Sequence, residues 1–383
     1  MPKIIIKEID LTSPGTLDVL SNLVYVPGIA KERLPANFED NTPRLYTDLQ
    51  TFQADFGSKI PRIGLGSRNA SDYPGFVDGF GYDTGFNYAT ELLRAGIPVL
   101  YDCLAKKAAE IKDDKDDSNK VTGYNADDDS YYLDEIEKRL VDGLKDSGSI
   151  TTTSKYDLLT DKGLYNIKYI CSGGYVSKEI NNAIFGLAAA RQDCVALVDI
   201  PYNKSVLDVL VSEKEGIDIT NIVTLDIIND KYAALFGPWA KYETPIMQSQ
   251  VKSEVTKPIL YYPSIYELPG SFGYLMAMAT AIGNGSNNWL AMAGANRGRI
   301  PYIVALKEEI TTAIIDIMQT RTGRAMNPIA VINPIGTVVR GKRTLNDNSI
   351  KGDLTASSFL NIRNLCSDVK KTVWTSARNV TFE

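Results

Sequence analysis

Between Tyr165 and Pro201 the sequence changes period twice, and this run constrains the fold more than any other feature. Tyr165-Asn166-Ile167-Lys168-Tyr169-Ile170 reads as a strand and Ser172-Gly173-Gly174 as a turn. Ile180, Ile184, Leu187 and Ala188 then mark one helical face at i, i+4, i+7 and i+8. Val195-Ala196-Leu197-Val198-Asp199-Ile200-Pro201 returns as an apolar strand of the kind buried on both faces. A strand, a helix and a second strand at this spacing form a βαβ unit, which predicts a parallel pair covered by helix.

Shorter signals flank that unit. Leu23-Val24-Tyr25-Val26-Pro27-Gly28-Ile29 is a strand ended by a Pro-Gly turn. Thr47 to Phe56 is a short helix stopped at Gly57, and a clearer helix starts at Asp83 or Thr84. Phe86, Ala89, Leu92 and Leu93 line its apolar face, Gly96 ends it, and Ile97 to Tyr101 forms the next strand. Leu306, Ile310, Ala313, Ile314, Ile317 and Met318 predict another amphipathic helix. Strand-like Ile329 to Ile332 and Thr337 to Arg340 follow, then a mixed stretch to the C-terminus. The N-terminal Lys3 to Ile9 is an isolated strand with two readings: an edge strand of its own domain, or an arm pairing with a neighbouring copy.

From Lys106 to about Tyr156 the character changes. Asp113-Asp114-Lys115-Asp116-Asp117 and Asp127-Asp128-Asp129 lie among Ser, Asn and Gly, which predicts an inserted, surface-exposed element. Calcium ligation fits poorly. Counting from Asp127, position six is Tyr132 where an EF-hand needs Gly, and position twelve is Lys138 where it needs Glu.

The chain of 383 residues contains no histidine. Ser-His-Asp and Cys-His nucleophiles, histidine metal sites and the usual general base near neutral pH are therefore excluded. The four cysteines (Cys103, Cys171, Cys194, Cys366) are widely spaced and read as buried free thiols rather than zinc ligands or disulfides. Neither a P-loop nor a complete G-x-G-x-x-G is present, and G-x-S-x-G is missing. The turn Ser172-Gly173-Gly174 remains the best enzymatic candidate, because backbone N–H groups at such a helix start can cradle phosphate. Glycine in a tight βα turn is more often only geometry. No metal, cofactor or catalytic constellation is expected.

The net charge of −6 is unevenly spread: residues 301–383 carry +4, which leaves −10 on the first 300. An acidic body with a basic tail suits head-to-tail contacts between copies, and nucleic acid is a poor partner for so small a basic excess. No run of eighteen apolar residues exists, so no membrane insertion is expected, and Ile4 to Ile6 is too short for a secretory signal.

Near the C-terminus the residues take on a specific pattern. Asn333-Pro334-Ile335-Gly336-Thr337-Val338-Val339-Arg340-Gly341-Lys342-Arg343-Thr344-Leu345 closely resembles a hallmark of bacteriophage contractile tail sheath proteins. Phe359 to Leu365, with Asn364 where that family commonly has a second Arg, is similar to its next station. Val373-Trp374 and Val380-Thr381-Phe382-Glu383 resemble its tryptophan and Phe-Glu-Pro. Upstream, Val24 to Gly28 with Phe52 to Gly57, Ala89 to Leu100, Phe236 to Trp239, Tyr262-Pro263-Ser264 and Trp289 to Gly294 resemble earlier stations in the same order.

The resemblance implies an α+β, multidomain protein: a mixed α/β core with a discontinuous C-terminal sheath domain and an inserted surface element. The expected division is an N-terminal arm at 1–22, a middle α/β domain at 23–104 with 157–300, an acidic surface insertion at 105–156, and the C-terminal sheath domain at 301–383. It implies hexameric rings stacked around an inner tail tube, with baseplate and tail terminator proteins as further partners. The particle is expected to be a virion tail assembled in the host cytoplasm. Ile4, Ile5, Ile6 and Ile9 are the expected inter-subunit strand, and Arg340, Lys342, Arg343, Arg363, Trp374 and Phe382 the expected sheath–tube interface. Family members usually continue beyond Phe-Glu-Pro into a C-terminal arm, so either a shortened member or, the favoured reading, a truncated arm is expected here, and a truncated chain should fold but polymerise poorly.

Overall fold

The structure is a computed structural model that describes residues 22–29, 42–57, 76–77, 80–81, 84–104, 130–148, 153–202, 204–206, 231–243, 265–287, 289–320, 325–346 and 355–381. The first elements are β1 (Leu23–Gly28), β2 (Arg44–Tyr46), α1 (Leu49–Phe56), a small β3 (Phe76–Val77) and β4 (Phe80–Gly81) hairpin, α2 (Thr84–Arg94) and β5 (Val99–Cys103). The middle supplies α3 (Ser130–Gly143), α4 (Lys155–Thr160), β6 (Ile167–Cys171), α5 (Lys178–Arg191) and β7 (Val195–Asp199). Then come β8 (Ala233–Gly237), β9 (Ala240–Glu243), β10 (Ile265–Leu268), α6 (Gly270–Gly283), α7 (Gly294–Arg297) and β11 (Ile303–Leu306). The last are α8 (Thr312–Thr320), β12 (Met326–Ile332), β13 (Gly336–Val339) and α9 (Leu360–Thr381).

One mixed sheet organises the chain, in the order β13-β12-β8-β7-β6-β1-β5-β2. Its six inner strands are parallel, and the edge strands β13 and β2 run antiparallel to their neighbours. Taken in chain order, the parallel strands follow the doubly wound 2-1-3-4-5 arrangement, extended by a sixth. The βαβ run folds as β6–α5–β7, with Tyr169 opposite Val195. A second, antiparallel sheet has the order β10-β9-β11.

Alternation along the strands builds two cores. Leu23 and Tyr25 of β1, and Ala196 and Val198 of β7, face α3, α4 and α5. Val24 and Val26, and Val195 and Leu197, face α1, α2 and α6. Helices therefore cover both faces, which is why the central strands read as apolar without interruption. Three helix starts are set by local side-chain caps. Asp48 accepts from the Thr51 amide at α1, and Ser177 accepts from the Ile180 amide at α5. The N-cap of α4 is a full capping box between Ser154 and Asp157.

Three expectations change. The segment read as a surface insertion is not peripheral in its second half: Ile136, Leu140 and Leu144 of α3 are buried in the core. Lys155 is buried as well, donating to Asp102 at 2.8 Å, and Tyr25 donates to the other oxygen of that carboxylate at 2.6 Å. Ile136, Leu140 and Leu144 stand at helical spacing with half-buried Val141 beside them, and the acidic run before them obscures the signal. Leu306 belongs to strand β11, and the helix that follows starts at Thr312. The mixed stretch near the C-terminus is the 22-residue helix α9.

Candidate assembly surface

The turn Ser172-Gly173-Gly174 follows β6 at the topological switch point, where β1 and β6 lie side by side while their connections diverge to either side. In doubly wound sheets this carboxyl-end crevice is where ligands bind. Here it is closed by backbone. A β-carbon on Gly85, in the first turn of α2, would strike the Pro27 carbonyl oxygen and approach the Gly28 Cα to 2.8 Å. One on Gly173 would strike the same oxygen and come within 3.3 Å of the Gly85 Cα. Gly174 packs against the Thr84 side chain, and both Gly173 and Gly174 have positive φ. Ser172 and Tyr175 are buried, and the Ser172 hydroxyl is turned inward to the Gly174 amide at 3.3 Å. The glycines allow three chain segments to meet and leave no room for a phosphate.

The C-terminal stations serve the fold. Asn333-Pro334-Ile335-Gly336 is the turn between β12 and β13, closed by Gly336 at φ 104°. Asn327 of β12 clasps the chain beyond the hairpin: its side chain donates to the Leu235 and Arg343 carbonyls at 3.0 and 2.8 Å and accepts from the Arg343 amide at 2.6 Å. A side chain at Gly341 would collide with Asn327. Thr344 and Leu345 are tied to Ser358 and Ala233 through their amides. Arg343 and Lys342 lie over the Phe359 ring, 5.3 and 5.6 Å from its centroid.

Helix α9 is inverted relative to an ordinary surface helix. Its seat on the sheet is polar. Asp368 pairs with buried Lys168 at 2.9 Å, and Asn364 donates to the Tyr169 and Tyr274 hydroxyls at 2.6 and 3.3 Å. Lys371 donates to the Ile167 carbonyl at 2.6 Å. Leu365, Val369 and Val373 face outward, one helical turn apart. Cys366 is exposed with them, against the expectation of a buried thiol, whereas Cys103, Cys171 and Cys194 are buried.

The expected interface residues divide. Lys342 is exposed, Arg340 and Arg343 are half-buried, and Trp374 is 39% exposed. Arg363 is instead 5% exposed: it stacks 4.5 Å from the Tyr232 ring centroid and donates to the Gln192 carbonyl, so it is a packing residue. Ile4, Ile5, Ile6, Ile9 and Phe382 lie outside the described residues.

A feature the sequence reading did not single out lies beside Trp374. A cleft of about 600 Å³ opens where β1, β6 and β7 begin, lined among others by Leu45, Lys162, Leu164, Lys370, Lys371 and Trp374. Burial pushes Lys371 down to about 8. Lys370 is also lowered, by burial and then by the positive charges of Arg363, Lys231 and Lys162. The carboxylate in the wall, Asp193, is already matched by buried Arg191, at 3.0 Å. Positive charge in excess of carboxylate, beside exposed apolar side chains, suits a protein surface better than a reaction centre. Among the described residues no three metal-ligating side chains cluster, and no helix is long and apolar enough to cross a membrane.

No family model matches the sequence, and no curated protein matches it. Solved structures do. The chain is similar to one in the anti-feeding prophage baseplate in its contracted state: 14% identity, 94% of this chain and 71% of that one, TM-score 0.50. A chain of an extracellular contractile injection system, in the PVC sheath complex in its contracted state, matches at 13% identity over 100% and 75%, with TM-score 0.49. The sheath tail protein of Desulfitobacterium hafniense matches at 9% identity over 93% and 79%, with TM-score 0.44. The likeness to the anti-feeding prophage chain is one of fold: this mixed α/β architecture is also found in a chain of that baseplate.

Proposed function

We propose that this chain, whose fold occurs in contractile injection particles, is the structural subunit of a contractile tail sheath. Copies stack as hexameric rings around an inner tail tube, contract collectively, and drive the tube through the host envelope. The observation that carries this reading is the fold match over 94% of the chain to a contractile particle in its contracted state. The ordered stations from Asn333 to Phe382, read from sequence alone, point the same way. A contracting polymer needs rigid bodies joined by interfaces with two arrangements. A sheet covered on both faces by helices supplies the rigid body.

In this reading Ile4, Ile5, Ile6 and Ile9 pair with a neighbouring subunit, and Arg340, Lys342, Arg343 and Phe382 face the tube, while Trp374 lines the cleft described above. Baseplate and terminator proteins bind the ends, and the particle is a phage tail or a related injection machine. The role is structural rather than catalytic. The backbone closure at Gly85 and Gly173 weighs against the alternative of a nucleotide-binding enzyme.

Electron microscopy of a full-length preparation tests the proposal. Tubes or stacked hexameric rings are expected, and dispersed monomers at every concentration would count against it. Deleting Ile4 to Ile9 should block assembly while leaving the melting temperature of the monomer nearly unchanged.

A further inference from the structure

We propose that the cleft beside Trp374 docks a second copy of this chain, and that its occupant is that copy's acidic stretch from Asp113 to Asp129. On one side are Lys162 and Lys370, both exposed, with Lys371 deeper. Between them stand apolar surfaces open to solvent: Leu45 at 43% exposure, Leu164 at 50% and Trp374. A charged rim around an exposed aromatic is the composition of a binding hot spot rather than of idle surface. Burial first, and then the positive charges of Arg363, Lys231 and Lys162, lower Lys370, and an arriving anion would offset those charges.

The complement lies in the same chain. Between Asp113 and Asp129 there are seven aspartates and two lysines, with Tyr124 separating the two clusters. Such a stretch offers two anionic patches and one ring to a cleft with two lysines at its mouth and one indole.

The chain's own segment would first have to run back across the sheet, whereas a neighbour's need not. The cleft opens where β1, β6 and β7 begin. The stretch departs after Leu104, whose amide is bonded to the Gly28 carbonyl at the opposite, carboxyl edge of the sheet. A contact between unlike faces of successive copies is heterologous, and when its rotation does not close a ring it propagates as an open polymer. The proposal deepens the assembly reading but is tested without it, since peptide binding does not require tubes.

A fluorescent peptide of residues 111–131 is titrated against the full chain, and anisotropy is read. Saturable binding is expected, weakened about tenfold or more by Lys162→Glu with Lys370→Glu, by Trp374→Ala, or by 0.5 M salt. No binding, or equal binding of a scrambled peptide of the same charge, overturns the assignment. Carbodiimide cross-linking of mixed light and heavy isotope-labelled chains then identifies the partner. Lys370 or Lys162 joined to the acidic stretch across light–heavy pairs is expected. Links within one chain only, or none, overturn docking by a second copy. Both lysines are exposed, and melting curves of the double variant should match the parent, which separates lost binding from lost folding.

Discussion

The carbonyl oxygen of Pro27 packs against the bare Cα of Gly173, and Gly85 closes on the same oxygen. The end of β1, the start of α2 and the turn after β6 are thereby joined at one point, which makes the switch point a packing centre. Gly85 is helical, where alanine is normally favoured by about 1 kcal/mol. Its β-carbon would meet backbone that cannot swing aside, and overpacking costs about 1–3 kcal/mol. Packing outweighs propensity, so Gly85→Ala should destabilise.

The matched control is Gly186→Ala in α5, where a β-carbon meets nothing within 4 Å. There propensity acts alone, and a stabilisation of about 0.5–1 kcal/mol is expected. Urea unfolding of the two variants checks the pair. Stabilisation by both would mean that the three segments do not press on one another.

The same closure makes a prediction about ligands. Thermal-shift measurements with nucleotides and phosphosugars should leave the melting temperature unmoved. A reproducible rise that Gly173→Val abolishes would reopen the phosphate-binding reading.

Much of this architecture was legible in the sequence because its signals are local. β6, α5 and β7 each carry their own period, and the turn between β6 and α5 is spelled by glycine. Leu360, Arg363, Asn364, Ser367 and Lys371 are spaced as a helical face, yet four of the five are polar. A period built on hydrophobicity therefore missed α9. The cleft was illegible for another reason: Leu45, Lys162 and Trp374 come from distant parts of the chain. Leu306 is a strand residue because it pairs with Ala240 of β9, as Ile303 and Ala305 pair with Tyr242 and Lys241. The resemblance of Phe359 to Leu365 to the family pattern places Arg363 at an interface, whereas here the guanidinium is packed over the Tyr232 ring.

The buried pair of Lys155 and Asp102 predicts an asymmetry. Lys155→Met leaves the Asp102 carboxylate with only the Tyr25 hydroxyl, so the loss should be about 3–5 kcal/mol. Adding Asp102→Asn removes the stranded charge and should recover much of that loss. Chemical denaturation of the wild type, both single variants and the double variant measures the coupling. Additive losses would show that the two side chains act independently.

Asp199 predicts how stability depends on pH. It ends β7 in full burial, accepting from the Ser271 amide at 2.7 Å and the Ser271 hydroxyl at 2.5 Å. Burial pushes its carboxyl up to about 7, although both bonds from Ser271 pull the other way. In the unfolded chain the group titrates near its ordinary value of about 3.9. Between these two values the folded state holds a proton that the unfolded chain has released. The stability from this group is therefore complete below about pH 4 and is lost as pH rises through about 7. Asp199→Asn keeps the shape and removes the titration. The stability of the wild type relative to the variant should fall steadily across that window, with a limiting slope of ~1.4 kcal/mol per pH unit. Guanidinium unfolding of both proteins from pH 4 to 8 reads it directly, and parallel curves would mean that Asp199 stays ionised in the fold.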